Sequence, residues 1–433
     1  MGCMREWHFF SGYREKMKYW IDSVRVVDVQ TGQVTAAEIR INNGVIEEVG
    51  KNLYREGYER IRAKGLYASP GCIDLHTHLR QPGESHKEEW GTFARACANG
   101  GVTTAVTMAN TNPPVDNPEI FLWVQQNASR LPLRILQAST ITRNRANEHL
   151  VNLEMMYQSG ARIFSDDGSW VSNSALMRDA LLWARNKNVL LISHCEDPTL
   201  SRSNAGSPSL SEVVAVNRDL FLARYTHSSL HLAHLSCQES IALLHQAKKE
   251  GIKVTAEVAL HHLLFTEKDA PHLPRKGKVN PPLGSKADRK ALQEAITSGI
   301  IDVVVSDHAP HEEVNVEENM NTIPPGFSSL DVFFPAGYTA CVVESGMDLV
   351  SFLRCVTIHP ARLLGLPPPQ IAPGKEANII LFSPDEQQII SPGDIHSKGK
   401  NCPYIGKKLY SPVCWTISQG RVIKEDGKVV VDI

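Results

Sequence analysis

Residues 71–78 read GCIDLHTH, an apolar run that ends in two histidines separated by one residue. Side chains of an extended segment alternate between its two faces, so His76 and His78 project from the same side and both imidazoles can reach one metal ion. In a chain with 17 histidines, a single pair of this kind is more often structural than metal-ligating. The pair becomes informative because further ligand-type residues follow later predicted strands.

The composition is that of a soluble globular protein with a sizeable core: 433 residues, a net charge of −2 and 42% hydrophobic residues. Its basic residues are dispersed, which argues against binding to nucleic acid or to an anionic membrane. No apolar run reaches the roughly 18 residues of a membrane span, and the N-terminus lacks an apolar signal core. Nine cysteines without a Cys-x-x-Cys pair favour reduced thiols and a cytoplasmic location.

The middle of the chain alternates short apolar strands with helical stretches, which is typical of repeated βα units around a parallel sheet. Eight strands are predicted, at residues 72–75, 103–108, 133–137, 162–164, 189–193, 230–233, 254–258 and 301–306. Eight such units predict a (β/α)8 TIM-like barrel. A doubly wound open sheet is the alternative, but no Gly-x-Gly-x-x-Gly turn follows the first strand.

Both ends of the chain are β-rich. Residues 23–27 and 37–41 read as strands followed by an Asn-Asn-Gly hairpin signal. Similar strand-like stretches return after residue 374. We expect a small β-sandwich domain built from both termini. The predicted boundaries are an N-terminal extension at 1–17, the first sandwich part at 18–66, the barrel at 67–366 and the second sandwich part at 367–433.

Polar residues follow the predicted strands, where the carboxyl-terminal mouth of a barrel builds its site. They are His76 and His78 after the first strand, Asn110 after the second, Asp166 and Asp167 after the fourth, His194 after the fifth, His234 after the sixth and Asp307 after the eighth. Imidazoles and carboxylates that converge at one rim form a nitrogen and oxygen set suited to Zn²⁺ or a similar divalent ion.

Each of these residues also has a structural interpretation. His194 and His234 can be hydrogen-bonded core histidines, and Asp307 can cap the next helix. Asp166 or Asp167 can be a turn residue, which is the preferred interpretation for one of the two. Coincidence at five strand ends is nevertheless harder to accept than coincidence at any one of them.

Ordered short motifs run through the chain from residue 69 onward. They read SPGCIDLHTHLRQPG at 69–83, MANTNP at 108–113, FSDDG at 164–168, HCED at 194–197, HLS at 234–236, VNPPL at 279–283, SDHAPH at 306–311, TIHPAR at 357–362 and GKEAN at 374–378. Together they resemble the motifs of dihydroorotases in the amidohydrolase superfamily, and the resemblance extends from about residue 18 to the C-terminus.

The resemblance implies a centre of one or two Zn²⁺ ions per subunit. It assigns six ligands: His76, His78, Asp167, His194, His234 and Asp307. The first two and Asp307 would hold one ion and the other two histidines a second. Asp167, chosen over Asp166 by its place in the motif, would bridge them. Many relatives bridge with a carboxylated lysine, but the corresponding position here carries Arg162, which stays protonated. The chain therefore departs from hydantoinases and dihydropyrimidinases.

The implied reaction is the reversible cyclisation of N-carbamoyl-L-aspartate to L-dihydroorotate in pyrimidine biosynthesis. A divalent cation supplies hydroxide near neutral pH, and Asp307 would act as general acid and base. Arg80 lies two residues past His78 on the same strand face and can bind the substrate carboxylate in a bidentate manner. A solvent-exposed salt bridge is the alternative for Arg80.

By family analogy, further residues contact the substrate: Asn110 and His311 complete the carboxylate clamp, and Asn280 contacts the ring. The stretch 311–330 is polar and long for a connection, which is typical of an active-site loop.

Two other functions stay open at this point. One is a cyclic amidase for another ring, such as an allantoinase or a hydantoinase-like enzyme. The other is a non-catalytic scaffold for aspartate transcarbamoylase, although such relatives usually lose ligands and this chain retains the full set. We also expect a homo-oligomer that acts on a small-molecule substrate, with association with aspartate transcarbamoylase left open.

Overall fold

The computed structural model describes residues 17–201, 208–312 and 323–431. The expected N-terminal extension lies outside the described residues except for Met17, and so does most of the polar stretch that follows Glu312. The described chain contains a barrel and a sheet to which both chain ends contribute.

Five strands precede the barrel: β1 (Lys18–Val27), β2 (Val34–Asn42), β3 (Val45–Gly50), β4 (Glu59–Arg62) and β5 (Tyr67–Pro70). Their sequence pattern has a period of two where one face packs inward. In β2, for example, Ala37, Ile39 and Ile41 are buried while the residues between them are partly exposed.

The barrel is built from β6 (Cys72–Thr77), β7 (Val102–Thr107), β8 (Arg134–Gln137), β9 (Ile163–Ser165), β10 (Leu190–Ser193), β11 (Leu230–Leu232), β12 (Val254–Ala259) and β13 (Val303–Val305). Neighbours pair in parallel in chain order, in a three-stranded and a five-stranded sheet. Parallel bridges between Ser139 and Phe164 and between Thr77 and His308 join the two sheets at both edges. The ring of eight strands is therefore closed, and the predicted barrel is confirmed.

Six strands follow: β14 (Ile379–Phe382), β15 (Gln387–Ile389), β16 (Lys408–Tyr410), β17 (Val413–Ser418), β18 (Arg421–Glu425) and β19 (Lys428–Val429). Strands β15 and β16 form a separate pair, while the other four join β1–β5 in one nine-stranded sheet, called the terminal sheet below. Contact between the two chain ends occurs where β14 pairs antiparallel with β5. The β-rich unit built from both termini is confirmed, whereas its domain boundaries stay a prediction.

Twelve α-helices lie in the described residues: α1 (Trp90–Gly100), α2 (Pro118–Ala128), α3 (Leu153–Gln158), α4 (Ser174–Ala184), α5 (Pro198–Ser201), α6 (Pro208–Thr226), α7 (Gln238–Lys249), α8 (Leu260–Leu264), α9 (Lys286–Thr297), α10 (Phe333–Tyr338), α11 (Leu349–Cys355) and α12 (Ile358–Leu363). Local sequence starts several of them. Asn117 caps α2 ahead of Pro118, and a Ser285–Asp288 capping box starts α9. Among the described residues, no helix is both long and apolar enough to cross a membrane.

The apolar interior has two parts. All residues of β6 and β7 are buried, as expected for parallel strands covered on both faces. The large barrel core includes Cys72, Leu75, Val102, Ala105 and Val106 from these strands. A second cluster, including Ile21, Ile39 and Ile417, lies in the terminal sheet. Because the barrel core fixes the strand ends, it also fixes the side chains that project from them.

Candidate metal centre

The six predicted ligands converge at the carboxyl ends of the barrel strands. His76 lies in β6, and the others follow their strands by one or two residues: His78 after β6, Asp167 after β9, His194 after β10, His234 after β11 and Asp307 after β13. All six side chains are buried. The strand ends therefore bring together residues that are up to 231 positions apart in the sequence.

His76, His78 and Asp167 form the first group of possible metal ligands. Asp167 Oδ1 lies 3.2 Å from His76 Nε2, and Asp167 Oδ2 lies 3.6 Å from His78 Nε2. Burial opposes ionisation of Asp167, but the surrounding His76, His194 and His234 outweigh it and hold the pKa of this carboxyl well below its usual range. Asp167 therefore carries a negative charge among the imidazoles.

The second group consists of Asp167, His194 and His234. Asp167 Oδ1 lies 3.3 Å from His194 Nδ1 and 3.4 Å from His234 Nε2, and these two ring nitrogens are 2.9 Å apart. The same carboxylate thus faces both groups. This is the arrangement expected of a bridging ligand between two ions, and it also suits a single ion.

Asp307 completes the cluster on the side of the first group. Its Oδ1 lies 3.3 Å from His78 Nε2 and 3.8 Å from His76 Nε2. Burial raises the pKa of a carboxyl, but the hydrogen bond from His78 and the charges of His76 and His234 lower the pKa of Asp307 overall. Its backbone adopts φ 45°, in the left-handed region that non-glycine residues rarely occupy, so the chain accepts local strain at this position.

The side chains fit a divalent cation. His76 Nε2 and Asp167 Oδ1 are buried without a hydrogen-bond partner among the described residues, although each is surrounded by other possible ligand atoms. Buried polar atoms normally have partners, so their orientation indicates coordination. Because the set is rich in imidazole and complemented by carboxylates, zinc or a similar transition metal suits it better than calcium or magnesium.

Charge points to the same conclusion at His194. Burial alone would lower its pKa, but Asp167 and Glu196 outweigh burial and raise the pKa of His194 to about 9. Glu196 Oε2 lies 3.3 Å from His194 Nε2, on the side of the ring opposite the cluster. The negative field that favours a cationic imidazole here also stabilises a metal cation.

Glu257 on β12 orients the first ligand. Its Oε1 lies 2.6 Å from His76 Nδ1, and its Oε2 lies 3.1 Å from His231 Nε2. Burial opposes ionisation of Glu257, yet the His76 and His231 rings outweigh it and lower the pKa of the carboxyl to about 2. A carboxylate that accepts from Nδ1 leaves Nε2 free as a ligand atom. Sequence reasoning missed Glu257, because it lies within an apolar strand rather than after one.

Asn110 orients His78 in the same way. Its Oδ1 accepts at 2.9 Å from His78 Nδ1, which directs Nε2 towards Asp167 and Asp307. Asn110 also lines the cavity described below, where it was predicted to meet substrate. One amide thus contacts the ligand cluster and the cavity at once.

Asp166 and Asp167 point in different directions. The Asp166 carboxylate accepts from the backbone nitrogens of Ile141 and Thr142 at 2.7 and 3.0 Å, and also from the Thr142 hydroxyl. In return, Arg145 donates to Asp166 O at 3.3 Å and to Ser169 Oγ at 3.0 Å. Asp166 therefore holds two loops together, and Asp167 is the member of the pair that lies among the imidazoles.

Arg162 stands outside the cluster. Its guanidinium donates to the carbonyl oxygens of Tyr157 and Ala161 at 2.8 and 2.9 Å and lies over the Tyr157 ring. Arg162 thus has a packing role. It occupies the position that carries the bridging lysine in many relatives of the resembled family. Asp167 is left as the carboxylate that faces both ligand groups.

A cavity of about 280 Å³ opens beside the cluster. Its lining includes five of the predicted ligands and all four predicted substrate contacts: His78, Asp167, His194, His234, Asp307, Arg80, Asn110, Asn280 and His311. Glu84, Lys87 and Arg145 line it as well. Sequence reasoning missed them because each lies outside the motifs. Half of the predicted active-site loop at 311–330, residues 313–322, lies outside the described residues.

Arg80 is buried, with 8% of its surface exposed, so its interpretation as a solvent-exposed salt bridge is wrong. Its Nε donates to Pro310 O at 3.3 Å, and Nη2 lies 3.2 Å from His311 Nε2. No carboxylate lies within salt-bridge distance of Arg80 among the described residues. Its φ of 64° is again in the left-handed region. A buried cation without a protein counter-ion is a suitable partner for an anionic ligand.

His311 stays neutral beside this cation. Burial is the main cause, and the charges of Arg80 and Arg275 add to it, so the pKa of His311 falls to about 2. Its Nε2 lies 2.9 Å from Pro325 O, and its Nδ1 is buried without a hydrogen-bond partner among the described residues. A neutral imidazole therefore lies beside the Arg80 guanidinium.

Comparison with known proteins gives one consistent result. The model of the amidohydrolase family matches residues 67–423. Dihydroorotase from Bacillus subtilis (strain 168) is 36% identical over 428 residues, covering 96% of this chain and 100% of that protein. Dihydroorotase from Carboxydothermus hydrogenoformans is 35% identical over 416 residues, covering 93% and 97%.

Solved structures agree on the fold. L-hydantoinase (dihydropyrimidinase) from Arthrobacter aurescens superimposes with a TM-score of 0.85 at 22% identity, covering 96% of this chain and 98% of that chain. Dihydropyrimidinase from Brevibacillus agri NCHU1002 gives 0.84 at 23% identity, covering 96% of each chain. At this identity, the likeness supports the barrel architecture rather than a substrate.

Proposed function

The chain belongs to the amidohydrolase family and, within it, to the dihydroorotases, and from this premise we propose how its residues carry out the reaction. The enzyme is a hydrolase of cyclic amides that interconverts L-dihydroorotate and N-carbamoyl-L-aspartate, a step of pyrimidine biosynthesis. The observation that carries the assignment of residues is a single cavity lined by five ligand-type side chains and by the buried Arg80.

We assign the metal centre to His76, His78, Asp167, His194, His234 and Asp307, with zinc as the ion. When bound, such an ion polarises an amide carbonyl and lowers the pKa of water from about 15.7 towards about 7. Asp167 faces both ligand groups, which supports two ions per subunit, and one ion is the simpler alternative.

Asp307 moves the proton. Its lowered pKa keeps it ionised at neutral pH, so a carboxylate oxygen can accept the proton of the attacking water. As the bond between the carbonyl carbon and the ring nitrogen breaks, Asp307 donates this proton to the departing nitrogen. In the cyclisation direction the same carboxylate takes the proton from the attacking carbamoyl nitrogen. Asp307 then passes this proton to the hydroxyl oxygen of the substrate's protonated side-chain carboxyl, which leaves as water as the new C–N bond is completed.

Arg80 binds the carboxylate that both substrates share. A guanidinium in a buried site can give two parallel hydrogen bonds to a carboxylate, and the neighbouring His311 lines the same wall of the cavity. Asn110 and Asn280 line the same cavity and orient the ring. These contacts favour an anionic ring over the neutral hydantoin or allantoin rings of the alternative function.

We further propose a homo-oligomer in the cytoplasm. The eight described cysteines are unpaired, which suits a reducing compartment. Association with aspartate transcarbamoylase is a second, weaker proposal. The chain has a complete set of ligand residues, so it can act without that partner. Light scattering with and without that enzyme tests both associations.

The decisive experiment compares turnover of L-dihydroorotate, N-carbamoyl-L-aspartate, hydantoin and allantoin by the purified chain, with zinc added and with zinc removed by a chelator. We expect zinc-dependent turnover of the first two compounds. Arg80→Ala should raise the KM for dihydroorotate about 100-fold, since a bidentate charged contact is lost. Faster turnover of a neutral ring, or an unchanged KM, contradicts the assignment. Protein that binds no metal and turns over none of the four compounds would be a scaffold.

A further inference from the structure

We propose that Asn401, from a segment near the C-terminus, is a positioning residue that sets the carboxylate-binding wall of the cavity. The segment is residues 397–402, which carry no helix or strand and lie between β15 and β16. The inference rests on the proposed function and deepens it, because it adds a residue about 90 positions beyond His311 to the determinants of substrate affinity.

The Asn401 side chain joins two stretches of the cavity wall. Its Nδ2 donates to Gly326 O at 2.8 Å and to Ala309 O at 3.2 Å. Its Oδ1 accepts from His311 N at 3.0 Å and lies 2.9 Å from Ser328 Oγ, whose single proton points to Gly399 O at the shorter distance of 2.5 Å. The amide therefore gives two hydrogen bonds and accepts one from the backbone. Asp at this position would lack both donors, and a shorter side chain would lose all three bonds.

The groups held by Asn401 face the substrate side of the site. Ala309, His311 and Gly326 all line the cavity. Ala309 N donates to Phe327 O at 2.7 Å, so the two stretches also contact each other directly. A shift of the His311 backbone would change the distance from His311 Nε2 to Arg80 Nη2, which is now 3.2 Å.

Close packing under His311 supports the same role for the segment. A Cβ atom added at Gly399 would lie 2.5 Å from His311 N and 2.8 Å from His311 O. The Ser328 hydroxyl donates to Gly399 O at 2.5 Å. Residues 399–401 therefore lie directly against the backbone of the predicted carboxylate-binding residue.

The segment has a second attachment that does not involve Asn401. The buried Glu88 carboxylate accepts from Ser397 Oγ at 2.5 Å and from Lys398 N at 3.1 Å, and it lies 3.2 Å from His308 Nε2. Because this attachment stays intact, substitution of Asn401 should loosen the cavity wall without releasing the segment. None of the Asn401 contacts involves the side chains of the six assigned ligands, so metal binding should be preserved.

The test measures KM, kcat and bound zinc for Asn401→Asp and Asn401→Ala with dihydroorotate. We expect the KM to rise about tenfold, as for the loss of hydrogen bonds in a binding wall, with kcat within about threefold and zinc content unchanged. Asn99→Ala is the matched control. Asn99 Nδ2 donates to Asp394 O at 2.8 Å, so it ties down the same part of the chain away from the cavity, and its loss should leave the KM unchanged.

An unchanged KM in folded Asn401 variants overturns the inference, and so does an equal rise in Asn99→Ala. If both Asn401 variants fail to fold, Ser328→Ala decides, because it removes the hydroxyl that contacts Asn401 Oδ1 and Gly399 O and leaves the Asn401 amide in place. A KM at least twofold higher in that variant supports the inference, and an unchanged KM contradicts it. Wild-type protein that does not turn over dihydroorotate contradicts the proposed function first and this inference with it.

Discussion

The carboxyl-end rim of the barrel and the core of the terminal sheet differ in the side chains that they gather. At the rim, a cluster of titratable groups is buried, some of its polar atoms lack hydrogen-bond partners among the described residues, and Arg80, His234 and Asp307 adopt positive φ values. In the terminal sheet, the core is a cluster of apolar side chains such as Ile39 and Ile417. Burying charge and strain costs stability, while apolar burial supplies it. The rim is therefore built for chemistry and the terminal sheet for stability.

The largest expected effect is the loss of turnover when Asp307 at the rim is replaced. Asp307→Asn removes the proton acceptor and a ligand-type oxygen, so kcat for dihydroorotate should fall at least about 1,000-fold. The free energy of unfolding without metal should also fall at neutral pH, because the folded chain favours the ionised Asp307 carboxylate and a neutral amide loses the attraction of His76 and His234. Steady-state kinetics and denaturant titration measure the two quantities.

Asp166→Asn is the control for that experiment. Asp166 holds the loop at Thr142 through its carboxylate but does not face the ligands, so we expect a much smaller fall in kcat. Equal losses in the two variants would mean that the chemistry does not depend on which carboxylate faces the cluster.

A substitution in the core of the terminal sheet should lower stability and leave turnover unchanged. Ile417→Ala removes a fully buried side chain of its core, and the free energy of unfolding should drop by about 3 kcal/mol. Turnover of dihydroorotate at a temperature where the variant is folded should match wild type. A large loss of kcat in the folded variant would contradict the division of roles.

Glu257→Gln tests the carboxylate behind His76. A neutral amide keeps the volume but weakens the hold on Nδ1, so zinc affinity should fall about 10–100-fold. Competition with a chromogenic chelator measures this affinity independently of turnover. His359→Gln, whose Nδ1 contacts the Asp302 carbonyl away from the cluster, should keep wild-type affinity. Unchanged affinity in Glu257→Gln would remove Glu257 from the support of the site.

The smallest effect concerns Lys424 on β18, a buried cation of the terminal sheet. Burial is the main cause that lowers its pKa to about 8, and Asp331 and Asp394 only partly oppose it. The unfolded chain, with a pKa near 10.4, then binds more protons than the folded chain above pH 8, so stability rises with pH there.

We expect Lys424 to contribute a gain of about 1 kcal/mol in unfolding free energy between pH 7 and pH 9. Lys424→Met cannot titrate and should lack this gain, which denaturant titration at the two pH values measures as the difference between the two proteins. Equal pH dependence in both would show that Lys424 is not a buried cation under strain.

The sequence predicted the barrel and the ligand cluster because local signals specify both. Apolar runs such as 303–305 mark buried parallel strands, and residues directly after parallel strands must meet at one rim. His234 and Asp307 were therefore found from their position after a strand. The resemblance decided between Asp166 and Asp167, whose local sequence context is nearly the same.

The remaining parts of the site depend on tertiary contacts that no local pattern specifies. Glu257 lies inside a strand, and nothing in VTAEVA shows that its carboxylate meets His76, 181 positions earlier. Asn401 lies in an irregular segment, and its partners at Ala309 and Gly326 are 92 and 75 positions away. Such residues become visible only when the packing of distant segments is known.

The most direct test of the account is zinc add-back to chelated enzyme, followed by the rate of dihydroorotate hydrolysis. We predict no turnover by the chelated wild-type chain, recovery in proportion to bound zinc up to at most two ions per chain, and no recovery in Asp167→Asn. Full activity in chelated protein, or normal recovery in Asp167→Asn, would contradict the claim that these buried imidazoles and carboxylates form one metal-dependent active site.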